Sequence, residues 1–180
     1  MPTRYDPKTI RLHWLVVILL ALVWGCAQII DFFPKGPPKI TVRSIHMGVG
    51  LLLGFVMLYR LWWRARHGER FSATGLLPFM SRLVHLSLYA LILAEVILGL
   101  ANVWGRGDVI FNLYKIPAFD PANRALKNQI EFIHATVADV ILAVVGLHAA
   151  AALVHHFIRK DDVLRRMLPG RIEDSKVIDA

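Results

Sequence analysis

Eight histidines and a single cysteine, Cys26, set the chemistry open to this 180-residue chain. One cysteine cannot form an internal disulfide, a Cys-x-x-Cys-His attachment site or a cysteine-ligated iron–sulfur cluster. Histidine is therefore the main source of metal ligands. His13, His46, His134 and His148 stand in or at the ends of long apolar runs, where an ionisable side chain is costly and marks a functional site unless packing satisfies it. His134 and His148 are fourteen residues apart. On a helix that spacing is about 21 Å of rise and a return to within about 40° of the same direction, so the two share one face at two depths. If the chain crosses a membrane with each run, His46 lies level with His134, and His13 with His148. Two bis-histidine sites stacked across a bundle follow, each drawn from two facing helices. Two imidazoles supply the axial ligands of haem b, whereas structural zinc takes four protein ligands and catalytic zinc three. His85, at the start of the third run, is a further candidate for the site of His148.

The elements that must position these rings are visible in the composition. Hydrophobic residues make up 56% and charged residues 19%, and the mean hydropathy is +0.52. Globular chains run about 45–50% apolar and about 25% charged, so this balance points to a membrane protein. A pI near 10.1 would suit nucleic acid, but so apolar a chain has little polar face with which to wrap a duplex. The apolar runs Leu12–Ile30, Ile45–Trp63, Leu83–Trp104 and Phe132–Ile158 each reach the ~20 residues that a helix needs to cross a bilayer. None shows the period-2 alternation of a barrel strand. An all-α bundle of four transmembrane helices, at about residues 11–31, 44–63, 82–104 and 130–158 of one domain spanning 1–180, is expected.

Arg4, Lys8 and Arg11 resemble the basic start of a signal peptide, but Cys26–Asp31 is no small-x-small cleavage site, so the first helix is read as retained. Fourteen Lys and Arg fall on the side of the termini and the 64–82 loop, against seven on the other. The positive-inside rule then places both termini in the cytoplasm. The long connection 105–131 is expected to carry a short surface helix from Pro121 to Glu131, capped by Asp120. Gly25, Gly48, Gly50 and Gly54 would admit either a flat macrocycle or a neighbouring helix.

The stretch Gly146-Leu-His-Ala-Ala-Ala-Ala-Leu-Val-His-His156, followed by Lys160-Asp161 and Leu164-Arg-Arg-Met-Leu-Pro169, resembles the last helix of the bacterial cytochrome b561 family, and most closely its superoxide oxidase-like subgroup. Arg11-Leu-His-Trp14, Phe32-Phe-Pro34 and Ile45-His46 agree in order, so the likeness covers nearly the whole chain. The resemblance implies a four-helix protein of the bacterial inner membrane with two haems b. Its ligand pattern maps onto His13 with His148 for the inner iron and His46 with His134 for the outer one. It also implies ubiquinone as electron acceptor and superoxide as donor at the outer face.

With both axial positions filled, the chemistry of each iron is outer-sphere electron transfer. The outer loops hold seven basic against four acidic residues, and a positive outer mouth would either speed the arrival of a small anion or neutralise haem propionates. Arg43 and Lys127, just upstream of His46 and His134, are the candidates. His155, seven residues past His148 on nearly the same face, is placed either to hydrogen-bond a quinone carbonyl or to rest as an interfacial ring among lipid headgroups; for His156 the interfacial role is the reading. Glu95 and Asp139 are read as buried carboxylates near mid-membrane, with a structural role or a proton path. Two other readings stand beside the oxidoreductase: a cytochrome b anchor of a quinone-linked dehydrogenase or hydrogenase with a soluble redox partner, and a non-redox transporter relaying protons or ions along its histidines.

Overall fold

The computed structural model describes residues 5–67 and 76–169. Arg4, the centre of the 64–82 loop with Arg70, and the tail from Gly170 lie outside the described residues, and part of the charge count on which the orientation rests falls there.

Four helices carry the fold: α1 Pro7–Ile29, α2 Pro37–His67, α3 Leu76–Arg106 and α4 Arg124–Phe157. Each is long and apolar enough to cross a membrane. All four overrun the apolar runs at one or both ends, because a helix continues into the polar interface once its backbone bonds are made. The starts have local causes. Asp6 caps α1, its Oδ1 accepting from the amides of Lys8 at 3.0 Å and Thr9 at 3.1 Å, with Pro7 at the first helical position. Pro37 and Pro38 open α2, where the missing N–H groups have no intrahelical partner to lose. At α4 the expectation is corrected: no separate surface helix precedes it. Pro121 and Ala122 form a turn, and Asn123 caps the helix, its Oδ1 accepting from Leu126 N at 3.0 Å. Asn is as good a cap as Asp, and here it stands where the continuous α4 begins.

α1 packs along α2 and α3 along α4, and the two pairs meet mainly through α2 and α3. Val16 and Leu19 of α1, Leu53 and Met57 of α2, Ile92 of α3 and Ile141 of α4 form the buried centre. At Gly54 a β-carbon would lie 3.0 Å from Val96 Cγ1, so this glycine serves the close approach of α2 to α3. Large apolar side chains such as Phe55, Phe132 and Leu147 point outward, as a lipid-facing surface requires. Near the first turn of α1, Lys8 Nζ sits 3.8 Å from the centre of the Trp63 ring, and Trp63 Nε1 donates to Asp6 Oδ1 at 3.3 Å. Trp14 Nε1 donates to the Met167 carbonyl at 2.7 Å, tying the segment after α4 back to α1.

The α3–α4 connection departs from an all-helical chain by one small ribbon. β1 Val109–Ile110 pairs antiparallel with β2 Tyr114–Lys115, Val109 opposite Lys115 and Ile110 opposite Tyr114. Phe111 and Asn112 turn the ribbon at φ of 46° and 60°, a region that costs an L-residue about 1–2 kcal/mol. Ser44 of α2, 1% exposed, anchors it: its hydroxyl donates to the Ile40 carbonyl and accepts from Phe111 N, both at 2.8 Å. Ser44→Ala leaves that amide without its acceptor, a loss of about 1 kcal/mol. The thermal midpoint of the detergent-solubilised variant is expected to fall by about 2–4 °C; an unchanged midpoint would show that the ribbon is held otherwise.

Candidate functional site

Each histidine pair joins a ring on α4 to one on α1 or α2 across the space between the two helix pairs. His46 lies on α2, and its Nδ1–H donates to the Val23 carbonyl of α1 at 2.9 Å. A carbonyl can only accept, so the geometry assigns the proton to Nδ1 and leaves the Nε2 lone pair open to a metal. Across the gap stands His134 of α4, the two ring centres 6.4 Å apart and the planes 87° from parallel. At the other end His13 of α1 and His148 of α4 repeat the arrangement, with centres 6.4 Å apart and planes at 71°. A metal midway between two imidazoles separates their centres by roughly 6.3 Å, from a bond of about 2.0–2.1 Å on each side and about 1.1 Å from ring nitrogen to ring centre. Both pairs have that span.

His85 joins the second pair. Its ring centre is 5.2 Å from that of His148, about 1 Å short of the metal-bridged span. Its Nδ1–H donates to the Ser81 carbonyl of its own helix at 2.6 Å. His13 Nδ1, by contrast, is buried without a partner. Among the described residues no three His, Cys, Asp or Glu side chains gather as a metal-ion site, so the donors come as pairs.

A cavity of about 450 Å³ opens around His46 and His134, within the range of about 300–1,000 Å³ usual for small-molecule and cofactor sites. Glu95, Asn102 and Arg106 of α3 and Arg43 of α2 line it, and Gly50 forms part of its wall. Around Gly25 and Gly48 the space is open. At the mouth, buried Asp108 accepts from Arg43 Nη1 at 3.2 Å and from Arg106 Nε at 3.1 Å, and Arg106 Nη1 lies 3.7 Å from Glu131 Oε1. Asn102 is 3% exposed, and neither atom of its amide has a partner. The paired rings, the open Nε2 of His46, the orphaned polar atoms and the cavity fit a bis-histidine macrocycle.

Residues 4–170 match the family model for prokaryotic cytochrome b561. The chain belongs to that family. Among curated relatives it is 30% identical over 176 residues to "Probable superoxide oxidase CybB" of Yersinia pestis, covering 95% of this chain and 99% of that protein. It is 30% identical over 177 residues to "Cytochrome b561 homolog 1" of Escherichia coli K12, covering 93% and 98%. To "Cytochrome b561 homolog 2" of the same organism it is 28% identical over 179 residues, covering 93% and 92%. This b561-family chain is thus a multi-pass membrane electron-transfer protein, and its family implies haem b.

The other expected residues scatter. Arg43 borders the cavity but is paired with Asp108, so it is not an unneutralised charge. Lys127 is not at this cavity; with Trp104, Phe119 and Asp120 it lines a separate recess of about 280 Å³. Asp139 borders the cavity as an exposed side chain rather than a buried one, whereas Glu95 is half-buried. His156 lies edge-on to Phe157, ring centres 4.8 Å apart. Arg106 and Asp108 entered the sequence reading only in the charge count of the outer loops, and Asn102 only as a polar residue of the third run; none was singled out for the site, the first two because they sit where a helix gives way to a loop. Arg60 of α2 is buried with its guanidinium 5.6 Å from the centre of the Tyr89 ring, and an arginine inside an apolar run was the signal for it.

His155 closes a contact that only the structure reveals. Lys160, at φ 55°, turns the chain back so that Asp161 Oδ2 accepts from His155 Nδ1 at 2.5 Å, while Asp161 Oδ1 accepts from Val163 N at 3.2 Å. The bond from His155 holds the Asp161 carboxyl below its usual range. A lowered folded-state pKa means that the contact is complete above the unfolded value of about 3.9 and is lost as pH falls through the lower folded-state value. Amide exchange at Val163 is expected to be slower in wild type than in Asp161→Ala at pH 7, with the difference gone once the carboxylate is protonated. Equal protection at pH 7 would contradict the contact.

Proposed function

We propose that this chain is a di-haem b cytochrome of the bacterial cytoplasmic membrane, with both termini inside, that oxidises superoxide at the outer face and reduces ubiquinone. The observation that carries the reading is the repetition of one geometry: two histidine pairs, each 6.4 Å between ring centres and each joining α4 to the α1–α2 pair, about 21 Å apart along α4. His46 and His134 would hold the outer haem, His13 and His148 the inner one. Held between two imidazoles, haem b would supply outer-sphere one-electron transfer.

The chain's own groups set the rest. Two superoxide anions each release one electron and leave as oxygen, and the quinone takes up two electrons and two protons. Arg43 and Arg106 border the outer cavity and favour an anion there, although Asp108 and Glu131 offset much of their charge. Lys127 adds positive potential from its separate recess. His155, fixed by Asp161, presents its other ring nitrogen at the cytoplasmic end of α4, where it can hydrogen-bond a quinone carbonyl and pass a proton. The superoxide reading draws on the name of the Yersinia pestis relative, and the bacterial membrane on the bacterial origin of the three relatives named above.

Purified protein is expected to carry two haems per chain by pyridine haemochrome assay, and His46→Ala and His148→Ala each to retain one. Colourless wild type, or variants that keep both, would overturn the ligand assignment. Stopped-flow reduction by superoxide is expected to slow as salt rises from about 0.01 to 0.15 M, as the Debye length shortens from about 30 to 8 Å; a rate indifferent to salt would remove electrostatic guidance.

A further inference from the structure

Glu95 is an acidic side chain in the apolar middle of α3, and it points into the cavity between the helix pairs. Its Oε1 lies 3.1 Å from Nδ1 of His134, off the hydrogen-bonding direction, and its Oε2 is buried without any partner. The Nδ1 of His134 likewise has no aligned hydrogen-bond partner, whereas His46 across the gap has its Nδ1–H held by Val23. Of the two rings, His46 has an aligned bond to a backbone carbonyl, and His134 has the Glu95 carboxyl at contact distance. The terminal torsion of His134 is soft, so rotation about it is the motion that would bring the two groups into line.

We propose that Glu95 is the positioning residue for His134: its carboxyl accepts the Nδ1–H, fixes the tautomer that turns Nε2 toward His46, and makes that nitrogen a stronger donor. This rests on the bis-histidine reading above. A hydrogen bond to the far nitrogen of a ligating imidazole orients the ring and raises its basicity, and a more basic ligand favours the oxidised metal. The inner pair is the internal reference. Among the described residues no carboxylate contact of His148 corresponds to that of His134, and His85 is its near neighbour.

The test is a spectroelectrochemical titration of the purified holoprotein and of Glu95→Gln and Glu95→Leu, with the haem that is missing in His46→Ala identifying the outer centre. Removing the acceptor in Glu95→Leu is expected to shift the outer centre about tenfold toward the reduced form, an upward move of about 59 mV for one electron. Glu95→Gln, which keeps a weaker acceptor, falls between, and the inner centre stays put. The low-spin ferric signal of the outer centre moves in the same order. Selective loss of the outer haem in Glu95→Leu with retention in Glu95→Gln also supports the assignment. Unmoved potentials with both haems retained would overturn it alone; wild type without an outer haem would overturn it together with the reading on which it rests. Loss of both haems from the near-isosteric Gln variant would overturn it too, by assigning Glu95 to the bundle rather than to one ring.

Discussion

Hydrocarbon offers no hydrogen bonds, so every polar group placed among four apolar helices must be satisfied by the helices themselves or by what they bind. The backbone meets this demand by making each crossing an unbroken α-helix. α4 runs from Arg124 to Phe157 without interruption, and only a continuous helix keeps His134 and His148 on one face at two depths. The side chains meet it less evenly. His46 and His85 hand their Nδ1 protons to backbone carbonyls, while His13, His134, Glu95 and Asn102 keep buried polar atoms unpaired. Such orphans are tolerated in a native protein where a bound group or a functional constraint accounts for them.

The helix pairing makes room for such groups. α1 with α2, and α3 with α4, are closely packed hairpins, and their mutual contact is concentrated between α2 and α3. The face of α4 that carries the histidines is therefore free to look across a gap at α1 and α2. At one end of that gap the α3–α4 connection folds over as a ribbon, with Asp108 held by Arg43 from α2 and Arg106 from α3. One buried carboxylate thus links the rim of the cavity to both helix pairs.

Much of this was legible in the sequence, because hydrocarbon imposes so strong a pattern. The four apolar runs mark the helices, and the fourteen-residue interval between His134 and His148 by itself implies one face and two depths. His46 and His134 do come together, as do His13 and His148. Helix ends were harder. Asp120-Pro121 reads as a cap and first turn, yet Asn123 three residues on has the same chemistry and sits against the continuous helix. The contacts of Asp108 with Arg43, and of Ser44 with Phe111, join residues 65 and 67 positions apart, and no local pattern announces them. Lys127 was misplaced for a related reason: nearness to His134 in sequence says nothing about which side of α4 a residue faces, and seven residues upstream it borders a different recess.

The central claim is that both pairs are closed bis-imidazole sites. Low-temperature electron paramagnetic resonance of the oxidised protein tests it most directly. Two low-spin ferric signals of equal weight, with no high-spin component, are the expected result. A high-spin signal from either centre, or a single low-spin signal accounting for all bound iron, would contradict it.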